Sequence, residues 1–243
     1  MSAYEYLRAL WRGLPLGFRR AVRRRPWIRK PISRLHDRLL RNTPHDTVYD
    51  RTWYEARHRA FDEGQQAMAD TFYAQFAPES VIDVGCGTGS LLSRFQELGA
   101  RVFGLERSEA ALAICSERGL NVETIDLSCV SEEDADRYRP PYALVLCLEV
   151  AEHLPPESAK HLVDFLGRLG SRVVFSAARP GQGGLDHLNE QLPEYWIDLF
   201  DSAGFSLDRV STEYLKSEWA NNEKVAIWFK QNTLVFWREN RSP

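Results

Sequence analysis

The sequence is poor in cysteine, and the four it has share no motif. Cys86, Cys115, Cys129 and Cys147 form no CxxC pair, which disfavours a zinc ribbon or a dithiol redox site; simple packing accounts for each. Long apolar runs are also missing. The longest, 143–148, stops at Glu149 and falls far short of the roughly 18 residues that a membrane span needs. Glycine (15) and proline (12) are too sparse for a collagen-like or low-complexity body. Arg8, Arg12, Arg19 and Arg20 interrupt the N-terminal residues, which therefore do not read as a secretory signal, and a reducing cytoplasm is the expected compartment. What remains is an ordinary globular balance, 44% hydrophobic and 27% charged over 243 residues, enough for one domain with extras or two small domains.

Charge is segregated along the chain. Residues 1–42 hold twelve bases and two acids, a net +10; the rest hold 19 bases and 32 acids, a net −13. The arm carries more than charge. Ser2-Ala3-Tyr4-Glu5 fits a capping box, with Tyr4, Leu7 and Trp11 on one helical face, and Ile32, Leu35 and Leu39 recur at the same spacing beyond Pro15 and Pro26. Short amphipathic helices that lie on something anionic are expected: a membrane surface, nucleic acid, or the acidic body itself.

Residues 43–49 read as a linker and 50–76 as a helix. Strands and helices then alternate. Strands are expected at 81–84, 101–105, 122–125, 142–148, 172–176, 205–210 and 233–237. Helices are expected at 88–98, 108–118, 157–169 and 193–203, and Gly99, Gly119, Gly170 and Gly204 stop them. This order predicts an α/β fold: a Rossmann-like, seven-stranded, mostly parallel sheet with helices on both faces, plus the N-terminal helical arm. Residues 212–230, rich in Trp, Tyr and Asn, break the alternation and are expected to be a lid or insertion within a domain spanning 43–243.

Val81-Ile82-Asp83-Val84-Gly85-Cys86-Gly87-Thr88-Gly89 puts three glycines at the tip of the first strand, where a backbone must turn tightly and admit a ligand. Glu106 follows Gly85 by 21 residues at the next strand end, where an acid suits ribose hydroxyls. Asp83 would repel a pyrophosphate but suits an amine or a sulfonium. The segment resembles the first motif of the class I S-adenosylmethionine-dependent methyltransferases, and the resemblance covers roughly residues 50–240. It implies S-adenosylmethionine as cofactor, with Glu106 as the ribose acid and Asp126 and Leu127 on the adenine side. Asp83, Gly85, Cys86, Gly87, Gly89, Arg107 and Leu148 complete the expected cofactor site, and Tyr54, beside Trp53, resembles the aromatic segment that closes over the cofactor. For Asp126 a turn-forming role stays open.

Past the fourth strand stand Glu149, Glu152 and His153, two carboxylates and an imidazole within five residues. This ExxEH resembles the metal motif of small-RNA terminal 2′-O-methyltransferases and of ubiquinone-pathway O-methyltransferases. A Glu-His pair in this loop also occurs in class I methyltransferases without a metal, where it positions substrate or acts as a base. His187, in the glycine-rich loop after the fifth strand, is the natural fourth ligand or the alternative base. One divalent ion, Mg2+ or Mn2+, held by Glu149, Glu152, His153 and His187 is expected, with His153, His187 and Glu152 as the catalytic set. The expected reaction is methyl transfer to a hydroxyl: first a sugar, glycan or glycolipid, next a specialised metabolite, third an RNA terminal 2′-OH. A nicotinamide oxidoreductase is disfavoured by the GxGxG spacing and Asp83, and a non-catalytic docking protein by the intact glycine loop and Glu106.

The charge split generates a test. A chain lacking residues 1–42 should fold and bind S-adenosylmethionine, because the glycine loop lies outside the arm. It should lose binding to anionic vesicles, a binding that in the full chain weakens as salt screens exposed charge. Vesicle sedimentation at low and high salt measures this; an insoluble truncated chain would place the arm in the core.

Overall fold

The structure is a computed structural model that describes residues 50–131, 133–138, 141–184 and 186–238. The basic arm, the linker and their boundary at residue 42 lie outside the described residues. The described chain opens with helix α1 (Arg51–Phe76) and continues through β1 (Ser80–Val84), α2 (Ser90–Glu97), β2 (Arg101–Glu106), α3 (Glu109–Glu117), β3 (Val122–Thr124) and β4 (Leu144–Leu148). It proceeds to α4 (Ala159–Leu169), β5 (Arg172–Ser176), α5 (Pro193–Ser202), β6 (Ser206–Leu207), α6 (Arg209–Trp219), α7 (Ile227–Asn232) and β7 (Leu234–Trp237). The strands form one sheet in the order β3-β2-β1-β4-β5-β7-β6. The first five are parallel; β7 runs antiparallel to β5, and β6 antiparallel to β7.

Period-two alternation divides the core between the two faces of the sheet. Ile82, Val84, Val145 and Cys147 face the layer of α4 and α5, where Leu162, Phe165, Trp196 and Phe200 are buried. Val81, Leu144, Leu146 and Leu148 face the layer of α1, α2 and α6, where Met68, Phe72, Phe95 and Trp219 are buried. All five residues of β1 and all five of β4 are buried, as a parallel strand covered on both faces requires. Helix α1 is fixed at both ends: Asp50 accepts from the Trp53 amide at 2.7 Å, and Ala77, at φ +39°, returns its N–H to the Tyr73 carbonyl.

The structure corrects three sequence expectations. β4 starts at Leu144 rather than 142, since Tyr142 makes only an isolated bridge to Gly170. The strand expected at 205–210 is two residues long, because Asp208 accepts from the Ser211 amide at 2.9 Å and starts α6. Residues 212–230 are no lid. They form most of α6 and the start of α7, and Leu215, Trp219, Val225 and Phe229 are buried in the core. Trp219 stacks edge-on against Phe72 with centroids 5.4 Å apart and donates its indole N–H to Thr71 Oγ1 at 3.0 Å. A Cβ at Gly64 would meet the Lys224 carbonyl oxygen at 2.2 Å, so the missing side chain lets this segment close on α1.

Trp219→Ala should therefore cost about 3–5 kcal/mol, the range for emptying a buried aromatic site. Denaturant unfolding reads the loss; a near-neutral effect would fit a lid and not a core helix.

Candidate active site

The chain leaves β1 for β2 and β3 on one side and returns to β4 on the other, so the strand order reverses between β1 and β4. In open α/β sheets that switch point is where ligands bind, outside the carboxyl ends of the strands. The loop after β1 turns through three glycines with positive φ: Gly85 (+82°), Gly87 (+54°) and Gly89 (+71°). They serve different needs. A Cβ at Gly85 would meet Val150 Cγ2 at 2.4 Å, and one at Gly89 would meet Leu120 Cδ1 at 2.3 Å; at Gly87 nothing lies within 4 Å. Two glycines thus permit close packing, and the middle one faces open space.

Glu106 binds this loop. One carboxylate oxygen accepts from the Gly87 amide at 2.8 Å; the other accepts from the amides of Arg107 and Ser108 at 2.8 and 2.9 Å. An ionised carboxylate offers about four acceptor positions, so capacity for a ligand hydroxyl is left. Cys115 donates its thiol to the Gly87 carbonyl, and Arg118 donates to the Thr88 carbonyl at 2.7 Å. Asp83 is buried beneath the loop. Burial, with the charge of Glu106 as the second cause, pushes its carboxyl up to about 7.

The other expected cofactor residues divide by environment. The Cys86 thiol is raised well above its usual range by a hydrogen bond with the Cys115 thiol and by burial, which fits a packing role. Arg107 and Asp126 face each other at 3.8 Å, both exposed; Asp126 Oδ1 also accepts from the amide and hydroxyl of Ser128 and so closes its own turn. Leu127 and Leu148 are buried in the core on opposite sheet faces. Tyr54 is buried with Trp53 against Ala111 and Ile114 of α3.

Past β4 the structure separates residues that the sequence grouped. Glu152, His153 and His187 each offer one ligand atom, and these atoms lie within 4.8 Å of one another; Glu149 is outside the group. Glu149 has a left-handed backbone (φ +56°), and both its oxygens are occupied by amides, Gln182 Nε2 at 2.7 Å and Asn232 Nδ2 at 3.1 Å. Of the four expected ligands, Glu149 is the one that does not join this group. Glu152 is 1% exposed, its Oε2 has no hydrogen-bond partner, and burial followed by the charge of Glu149 raises its carboxyl well above the carboxylate range. The Glu152 carbonyl accepts from the amides of Leu188 and Asn189, which draws the loop after β5 over it, and the rings of His153 and His187 meet edge-to-face at 4.9 Å.

Sequence reading missed four contributors: Arg118, Gln182, Asn232 and Glu190. Only Glu190 had a signal, its spacing three residues beyond His187. Its Oε1 lies 2.9 Å from His187 Nδ1, and its two oxygens accept from the amides of Gly181 and Gly183 at 2.7 and 2.8 Å.

A family model described as a methyltransferase domain matches residues 52–222, most of the chain. The chain belongs to that family. Its fold is that of the class I S-adenosylmethionine-dependent methyltransferases. Magnesium protoporphyrin IX methyltransferase from Synechocystis PCC 6803, solved with S-adenosylhomocysteine, aligns with a TM-score of 0.53 at 20% identity, over 74% of this chain and 86% of that one. A SAM-dependent methyltransferase from Archaeoglobus fulgidus aligns with a TM-score of 0.55 at 16% identity, over 77% of this chain and all of that one. Among curated relatives, the ubiquinone biosynthesis O-methyltransferase of Alkalilimnicola ehrlichii is 39% identical over 99 residues, 40% of each protein. That of Hydrogenovibrio crunogenus is 34% identical over 125 residues, half of this chain and 48% of the relative. The chain thus spans less than half the length of the curated relatives it matches.

The raised Asp83 carboxyl has two measurable consequences. A cationic cofactor favours the ionised form, so S-adenosylmethionine affinity should rise as pH increases through about 7, and calorimetry on Asp83→Asn should find weaker binding without that step. Stability should move the other way. The unfolded chain ionises this group near 3.8 and the folded chain near 7, so the burial penalty grows with pH between those values. Asp83→Asn should then be the more stable protein at about pH 8, by no more than about 4 kcal/mol.

Proposed function

We propose that this protein transfers the methyl group of S-adenosylmethionine to a hydroxyl of a small metabolite. The observation that carries the reading is that two loops leave the carboxyl ends of the neighbouring strands β1 and β4 at one switch point: the glycine loop bound by Glu106, and the loop that carries Glu152 and His153, whose cluster His187 joins. In this reading Gly87 leaves room for the cofactor while Gly85 and Gly89 let the loop pack closely around it, Glu106 takes its ribose hydroxyls, and Asp83 faces its positive charge. Asp126 and Leu127 flank the adenine, and Tyr54 and Leu148 close the sides. Transfer from a sulfonium is an in-line displacement, so the site must align sulfur, methyl and acceptor oxygen. The hydroxyl must also lose its proton, and an imidazole of His153 or His187, or the Glu152 carboxylate, is placed to take it.

The three-residue group also fits a divalent ion. Glu152 Oε2 is buried without a hydrogen-bond partner, and one carboxylate with two imidazoles suits manganese, iron or zinc better than magnesium. Such an ion, held by Glu152, His153 and His187, would lower the pKa of the acceptor hydroxyl.

A metabolite acceptor is favoured over a sugar, glycan or glycolipid, or an RNA end, because the curated relatives act as O-methyltransferases in ubiquinone biosynthesis. No helix among the described residues is long and apolar enough to cross a membrane. Residues 1–42 keep a proposed role at an anionic membrane surface, with nucleic acid as the weaker alternative, in a cytoplasmic protein.

The test pairs binding with turnover. S-adenosylhomocysteine should bind, and Glu106→Ala should weaken it about tenfold to a hundredfold, the worth of charge-assisted hydrogen bonds to two hydroxyls. Methyl transfer from labelled cofactor is then measured on phenols, sugars and an RNA 3′ end, before and after EDTA. Transfer to phenols supports the reading and transfer to sugars or RNA replaces its acceptor. Full activity after EDTA removes the metal and leaves a histidine or glutamate base.

A further inference from the structure

We propose that Glu190 is the positioning residue for His187. Its carboxylate fixes the imidazole in the Nδ1–H tautomer and leaves the Nε2 lone pair for an acceptor proton or a divalent ion. The inference rests on the reading of this sheet edge as the acceptor side, and Glu190 belongs to neither the cofactor set nor the ligand group.

The geometry is specific. Glu190 Oε1 lies 2.9 Å from His187 Nδ1 and also accepts from the Gly183 amide at 2.8 Å, while its other oxygen accepts from the Gly181 amide at 2.7 Å. An ionised carboxylate only accepts, so the proton of a neutral His187 must sit on Nδ1. Each carboxylate oxygen already accepts a loop amide, so both present lone pairs rather than a proton to the ring.

The ring is held on a second side. A Cβ at Gly184 would meet Nε2, Cε1 and Cδ2 of His187 at 2.0, 2.5 and 2.6 Å, distances that put it over the ring's face at Nε2. The imidazole thus lies flat on Gly184, and the in-plane direction of the Nε2 lone pair avoids that contact. His153 meets the same ring edge-to-face. Carboxylate on one nitrogen and a free lone pair on the other is the arrangement that orients imidazoles in metal sites and in general-base dyads.

A purely structural role is a real competitor, since Glu190 binds the loop amides in any case. Nitrogen-15 histidine spectra of the full chain at mildly alkaline pH separate the two, with His187→Gln assigning the resonances. The proposal expects a protonated Nδ1 and an unprotonated Nε2 in the wild type, and loss of that preference in Glu190→Gln. A wild-type His187 protonated on Nε2 overturns it, as does an unchanged tautomer in Glu190→Gln; the wild-type spectrum decides alone if the variant does not fold. Calorimetry with S-adenosylhomocysteine keeps the two readings apart. Absent binding to the wild type defeats the methyltransferase reading, while the spectra answer only for the Glu190–His187 pair.

Discussion

A parallel strand covered on both faces has no place for polar chemistry along its length. Every buried residue of β1 and β4 must serve the core, and Asp83, the one acid among them, is held there at the cost of a carboxyl pushed up to about 7. Polar groups are therefore driven to the carboxyl tips, where chain leaves the sheet. The reversal of strand order between β1 and β4 spreads two of those tips apart and leaves the space in which both halves of the site stand.

The two halves are built by one device used twice. A glycine-rich loop has surplus backbone amides that no strand or helix satisfies, and a single carboxylate collects them. Glu106 takes that of Gly87, together with those of Arg107 and Ser108 in its own turn after β2; Glu190 takes those of Gly181 and Gly183. In each case the acid gives a shape to a stretch whose glycines would otherwise leave it many conformations. The halves differ in what the carboxylate does besides. Glu106 stays at the edge of the cleft with acceptor capacity to spare, whereas Glu190 uses Oε1 a second time, on an imidazole.

Much of this was legible in the residues themselves. Gly99, Gly119 and Gly204 mark helix ends because positive φ favours glycine, and the run Val81 to Gly89 carries strand, turn and helix start in nine residues. What was not legible depended on partners far away in sequence. Residues 212–230 read as a lid or insertion until Thr71 and Phe72, on another helix, supply the hydrogen bond and the packing of Trp219. Glu149 reads as a ligand by spacing, but its left-handed backbone turns the side chain toward Gln182 and Asn232. Spacing gives the face of a regular element; it gives no direction once the chain enters a turn.

The amide ring formed by Glu149, Gln182 and Asn232 has a mechanical meaning. Gln182 belongs to the loop that carries His187, Asn232 ends α7, and Asn232 Nδ2 donates to Gln182 as well as to Glu149. The loop cannot swing outward alone without breaking both side-chain hydrogen bonds of Gln182 and taking one of its two amide donors from the partly buried Glu149. The least costly displacement carries the end of α7 along with it. Since β7 begins two residues later and is paired to β5, the far edge of the sheet acts as an anchor against that motion, and the histidine side of the cleft is the stiff one.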